Sequence, residues 1–362
     1  MNLSRRHILQ GSAAAALIAA PFSAIASTAN TRWMGCRQVG ENHFATLFDE
    51  TGRVHLDVQL PGRGHDIVLS PDGRRVVVMA RRPDRFALVV DLNSGEVHHH
   101  LTAGDGHHFY GHGCFSADST LFYTSENHYG TGDGVVGVRD AKNGFELLGH
   151  FASGGIGPHE ILLTADGTAL AIANGGIRTH PDTGRSKLNL ETMSPSLTLV
   201  NHKSGELMSR HSLDAEHHQL SIRHLAAGPK GIAAALQYEG PKRNRVPLLA
   251  LFDGAGLQLA ETPSAVARAM RNYAGSVAYD ATGDIIALTC PRGNLVSFWS
   301  SDDGSYLCFH TARDVCGIAP LENPGHFALT AGDITFQATL DSTRTTARFD
   351  DTQWDNHLVS VA

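Results

Sequence analysis

The chain has little from which to build several familiar kinds of site. Its five cysteines, Cys36, Cys114, Cys290, Cys308 and Cys316, show no CxxC or CxxCH spacing, which excludes a zinc ribbon and covalent haem attachment. An oxidising compartment permits a disulfide, with Cys308 and Cys316 the candidate pair, and the odd count leaves at least one thiol over. Charge of one sign does not dominate: the formal net charge is −7, so there is no electrostatic footprint for nucleic acid. Beyond the N-terminal segment no apolar run is long enough to span a bilayer. No HExxH, phosphate loop or nucleophile elbow is present, so no catalytic motif is legible.

What the chain does have is histidine, 22 of 362 residues. Imidazole titrates near neutrality and is the commonest metal ligand. The N-terminus is set aside first. Ser4-Arg5-Arg6-His7-Ile8-Leu9 places a twin arginine before the Ala-rich segment Ala13–Ile25, and Ala24-Ile25-Ala26 reads as a cleavage site. The pattern predicts a Tat export signal over residues 1–26, a mature start at Ser27 and a periplasmic location for residues 27–362.

A four-strand unit recurs through that mature chain. In blade one, His65–Leu69 leads through Ser70-Pro71-Asp72-Gly73 to Arg75–Met79, and Phe86–Asp91 turns at Asn93-Ser94-Gly95. The first-hairpin turn comes round again near residues 119, 167, 231, 283 and 325. Four-stranded units of this period are propeller blades. The tail (Ala347-Arg348-Phe349 and His357–Val361) and the N-terminal runs Phe44–Phe48 and Val54–Val58 supply the rest. The expected fold is therefore all-β: one seven-bladed β-propeller domain closed by N- and C-terminal strands. The short sixth unit leaves six or eight blades as alternatives. A helix is expected over Ser264–Asn272.

The innermost strand of a blade lines the channel. Five of those strands open on histidine: His65, His112, His159, His224 and His357. Blades five and six place Ser276 and Cys316 there. The five imidazoles should converge on one mouth as a metal site, with Asp66 and Glu160 as supporting acceptors. WD-type repeats carry a structural Gly-His pair, but that histidine lies well upstream of the turn. Here eight residues separate His65 from Gly73 and His159 from Gly167, which puts the histidine in the strand. Structural or merely polar filling of the channel is the competing reading.

Loops on the same face add Glu126 and His128 from blade two, Arg178 and His180 from the long blade-three insertion 174–195, and Gln237 from blade four. His98-His99-His100 falls in an outer strand and reads as surface, while His107-His108 and His217-His218 lie just upstream of His112 and His224.

The signal, the Ser-Pro-Asp-Gly type turns and the Gly-His strand starts resemble a bacterial family of Tat-exported propellers described as a domain of unknown function. It lies within the quinoprotein amine dehydrogenase-like and YVTN propeller superfamily. That resemblance covers essentially the whole mature chain and carries over no catalytic residue. It implies periplasmic iron handling, with imelysin-like iron-uptake proteins as partners. The leading expectation is a periplasmic protein that binds a transition metal, iron or copper, in acquisition or handling. A metal-dependent periplasmic oxidoreductase and a protein-interaction scaffold are the alternatives.

Overall fold

The computed structural model describes residues 31–361 apart from Pro83 and Arg185, so the expected export signal lies outside the described residues. The chain winds into seven antiparallel sheets of four strands. The innermost strands of blades one to six are Gly64–Leu69, His107–Phe115, Pro158–Leu163, Leu220–Gly228, Ser276–Tyr279 and Val315–Pro320, and that of blade seven is Thr352–Val361. Each packs against the next and the last against the first, which closes the ring.

The repeating turns have a local cause. In blade one the Ser70 hydroxyl donates to Asp72 at 2.5 Å and accepts the Arg75 N–H at 3.0 Å, while Gly73 takes φ +68°. Ser116 with Asp118 and Thr164 with Asp166 repeat the device. Ser119 stands at φ +56° where blades one, three and five place Gly73, Gly167 and Gly283. The strands that follow are buried on both faces, as Val76–Met79 is, because each blade is covered by two neighbours.

Blade seven differs in detail from the sequence reading. From the axis outward it runs Thr352–Val361, Arg32–Val39, Asn42–Asp49 and Val54–Leu60. Ala347 and Arg348 belong to Thr343–Arg348, the outermost strand of blade six, whose turn at Gly332-Asp333 is short enough to complete that blade. Their place is taken by Arg32–Val39, which pairs antiparallel with the C-terminal strand from Arg32↔Val361 to Val39↔Thr352. No turn signal precedes that strand, so nothing local marks it. The helix is shorter than expected, Ser264–Ala269, and is stopped by Arg271 and Asn272 at φ +52° and +58°. All five cysteines are free thiols, so Cys308 and Cys316 are not joined; their sulfurs donate to the carbonyls of Leu340 and Asp314.

Phe48 ties the two chain ends together. It is buried against Trp33, Phe349 and Trp354 at ring distances of 6.0, 5.4 and 4.8 Å. Phe48→Ala is expected to lower unfolding free energy by about 3–5 kcal/mol, the cost of a large core cavity. Urea denaturation checks this, and a loss below about 1 kcal/mol would show that the closing blade relaxes around the gap.

Candidate metal centre

Among the described residues, blade five alone keeps the register of its innermost hairpin unbroken, and it has no histidine there. The other six carry a bulge. It lies between Gly64 and Ile67, Phe109 and Gly113, Pro158 and Ile161, Ile222 and His224, and Val315 and Ile318. In blade seven it lies in the C-terminal strand opposite Gly35–Arg37. His65, His112, His159, Cys316 and His357 sit in these bulges, and His224 directly follows the unpaired Arg223 of the blade-four bulge. An extra residue re-aims a side chain that the pleat would point into the neighbouring blade. His112, His224 and His357 accordingly lie within their strands, which begin at His107, Leu220 and Thr352, and not at the strand starts as the sequence reading had them.

The five imidazoles meet. Taken in chain order and back to the start, their ring centroids lie 4.8, 4.5, 4.8, 4.7 and 4.8 Å apart. All five are buried. Two triads, His65–His112–His159 and His112–His224–His357, each bring three ligand nitrogens within 4.8 Å of one another, and His112 belongs to both. Gly111, at φ +104°, makes the approach possible: a β-carbon there would stand 2.9 Å from the His65 ring.

Support comes from the preceding blade. Asp355 of blade seven faces His65 Nδ1 at 3.5 Å, Asp66 of blade one faces His112 Nδ1 at 3.3 Å, and Glu160 of blade three faces His224 Nδ1 at 3.1 Å. Only the last makes a hydrogen bond; the Nδ1 atoms of His65 and His112 have none. The blades before His159 and His357 carry Gly113 and Gly317 at the corresponding position, and His159 Nδ1 and His357 Nε2 are buried without a partner. Burial holds His65, His159 and His224 well below the ordinary imidazole range and His357 at about 3. Burial lifts Glu160; it also works upward at Asp66 and Asp355, but the His112 and His357 rings with the Gly113 N–H together outweigh it at Asp66, and His65, Arg81 and Arg63 together outweigh it at Asp355, so both carboxyls are lowered.

The remaining candidates divide. Gln237 and Cys316 line the cavity above the imidazoles, with the Gln237 amide donating to the Ala274 carbonyl. Burial pushes the Cys316 thiol far up, so it is no thiolate. Glu126 points away, into blade two, where Thr124 donates to it at 2.6 Å and His150 contacts it at 3.1 Å. His128 packs edge-on to His107 at 4.7 Å, and His107 stacks on His150. Arg178 is exposed and donates to the Thr131 carbonyl, while His180 packs on Tyr129. His98 to His100 lie on the outer strand Val97–Leu101.

The sequence reading missed the basic residues. The cavity, about 520 Å³, has Arg63, Arg81, Arg82, Arg223 and Arg292 in its wall. Arg63 directly precedes Gly64-His65, and Arg223 directly precedes His224, so adjacency was the available signal. The blade-three insertion crosses this mouth. Its Thr179 binds Arg82, Tyr110 and Asn127, and its Lys187 pairs with Glu239 of blade four.

Residues 58–361 match the family described as "Protein of unknown function (DUF1513)". The chain belongs to that family. Among solved structures, Kuenenia stuttgartiensis hydrazine synthase is similar with a TM-score of 0.59 at 16% identity, covering 86% of this chain and 93% of that one. The β-propeller domain of Myceliophteria thermophila Cps50 (Swd1) is similar with a TM-score of 0.56 at 13% identity, covering 82% and 93%. At these identities the likeness is one of fold. No curated relative matches the sequence.

The depressed imidazoles make the stability of this DUF1513 propeller depend on acid. In the unfolded chain they protonate near pH 6.5, while in the folded chain they stay neutral well below that. Their contribution is complete above about pH 6.5 and lost as pH falls toward 3, by about 1.4 kcal/mol per pH unit for each group still neutral when folded. Glu160, with a raised pKa, works in the opposite direction but is one group against four. The metal-free protein should therefore lose urea stability steeply between about pH 6.5 and 4, and His159→Gln should flatten that slope. Equal slopes in the two proteins would show that His159 does not resist protonation.

Proposed function

We propose that this DUF1513 propeller is a Tat-exported periplasmic protein that holds a transition-metal ion among the imidazoles at one mouth of its channel, in iron or copper handling. One contact carries the reading. His65 Nε2 and His112 Nε2 lie 3.1 Å apart, while the Nδ1 atom of each ring faces a carboxylate. A proton on either Nε2 makes this contact an N–H···N hydrogen bond, whereas with both rings neutral and both protons on Nδ1, toward Asp355 and Asp66, two bare lone pairs face each other. A shared cation relieves that repulsion. With metal–nitrogen bonds of about 2.0–2.1 Å, two neighbouring ligands of one ion stand roughly 2.9–3.4 Å apart, which is the spacing observed.

The donor set narrows the metal. Neutral imidazoles suit iron, copper, zinc and nickel, whereas magnesium and calcium want oxygen. The carboxylates stand behind the rings, where they orient ligands and raise their basicity. The unpartnered nitrogens of His159 and His357 supply further donors. Iron is favoured over copper through the family resemblance, which also points to imelysin-like periplasmic partners.

Elemental analysis of protein isolated from the periplasm should find about one iron or copper per chain, held by three or four nitrogens. His112→Ala, which removes the ring shared by both triads, should reduce that to background while the far-ultraviolet spectrum stays that of the wild type. Equal trace metal in the two proteins, with no saturable uptake of Fe(II) or Cu(II) by either, would overturn the reading. Export is checked separately: Arg5→Lys with Arg6→Lys should leave the protein in the cytoplasmic fraction, and undiminished periplasmic protein would rule out the Tat route.

A further inference from the structure

The cavity over the imidazoles is charged against the grain of the chain. The formal net charge is −7, yet Arg63, Arg81, Arg82, Lys187, Arg223 and Arg292 all face this one space. Three carboxylates answer six cations: Asp355 pairs with Arg63 and Arg81, Glu239 pairs with Lys187, and Asp314 lines the wall. Among the described residues that leaves Arg82, Arg223 and Arg292 without an ion pair. Arg82 lies 4.6 Å over the Tyr110 ring and donates to Thr179 Oγ1. Arg292 lies 4.2 Å over the Tyr273 ring. Arg223 has a buried Nε with no partner.

Unpaired guanidiniums gathered around one space repel one another, and although Arg292 is exposed, Arg82 is half-buried and Arg223 has its Nε buried, so they mark a place where anionic charge is expected from outside. Their mounting also selects the kind of anion. They come from three stretches, the blade-one loop, the blade-four bulge and the turn after the blade-five strand Ile285–Cys290. Separate mounts suit separate anionic groups on one molecule. The Tyr110 and Tyr273 rings brace Arg82 and Arg292; Arg82 gives an Nη1–H to Thr179, and the remaining N–H groups of each guanidinium can offer two parallel N–H···O bonds. Planar carboxylates match that fork. The volume, about 520 Å³, is that of a small-molecule site.

We propose that this cavity is a binding site for a small tricarboxylate, whose carboxylate groups are taken by Arg82, Arg223 and Arg292 above the imidazoles. The site borders the metal centre but does not rest on it, since the arginines stand unpaired whether or not an ion is bound. A ligand of this class would present carboxylate oxygens to the space over His65, His159 and His224, which line the same cavity.

Titration calorimetry on the mature protein, stripped over a chelating resin so that no soluble chelator competes, tests this with citrate as the probe. Citrate should bind saturably at one per chain. Acetate and inorganic phosphate should each bind at least roughly a hundred-fold more weakly, since each can engage fewer forks. Arg292→Gln and Arg223→Gln should each weaken citrate by roughly ten-fold or more, the loss of one charge-assisted pair. Arg292→Gln keeps the test valid if Arg223→Gln does not fold. Absence of saturable citrate binding, phosphate bound as tightly as citrate, or citrate affinity unchanged in folded Arg292→Gln would each overturn the proposal. Because metal-free protein is used, none of these outcomes depends on the metal reading.

Discussion

Everything at the channel mouth depends on the breaks in register of the innermost strands. A regular strand sends alternate side chains into the two neighbouring blades, where they must be apolar. One extra residue in blades one, three, four and six, and two in blades two and seven, releases a side chain from that alternation and turns it to the axis. Blade five keeps its register and contributes no imidazole. Ring closure then brings the released side chains together, so the cluster exists only while the ring does.

The bulges also explain how carboxylates reach the rings. In blades one and three the acid immediately follows the histidine, and it serves the histidine of the next blade: Asp66 for His112, Glu160 for His224. Blade seven supplies Asp355 to His65 from two positions before His357. Where the preceding blade has glycine, no carboxylate backs the imidazole; His159 Nδ1 and His357 Nε2 have no partner, and of the three rings that do face a carboxylate only His224 is hydrogen-bonded to it. Buried polar atoms without partners are expensive, on the order of 1–3 kcal/mol each. Packing five imidazoles against one another is thus a standing cost that an ion between them would offset.

The mouth joins two kinds of chemistry. Neutral imidazoles form its floor, and arginines that exceed their local carboxylates form its wall. The blade-three insertion binds the two together, since Thr179 holds both Arg82 and Tyr110 while Lys187 reaches Glu239. The nitrogens of the floor and the guanidinium forks of the wall open on one space.

The blades were legible from the sequence because their turns are local: Ser70-Pro71-Asp72-Gly73 and its repeats bond within themselves, so their chemistry is written in adjacent residues. His65 and His159 were legible for the same reason, since their distance from those turns puts them in the innermost strands. The strand Arg32–Val39 was not, because it is defined by pairing with residues some three hundred positions away. Glu126 was expected at the mouth as a loop residue, but it lies in the strand Leu121–His128 and its carboxylate turns into blade two. The bulges, the service of each carboxylate to the next blade, and the excess of arginines over acids in one cavity were decided by tertiary structure alone. Each depends on which residues from different blades share a space, and a linear chain carries no local mark of that.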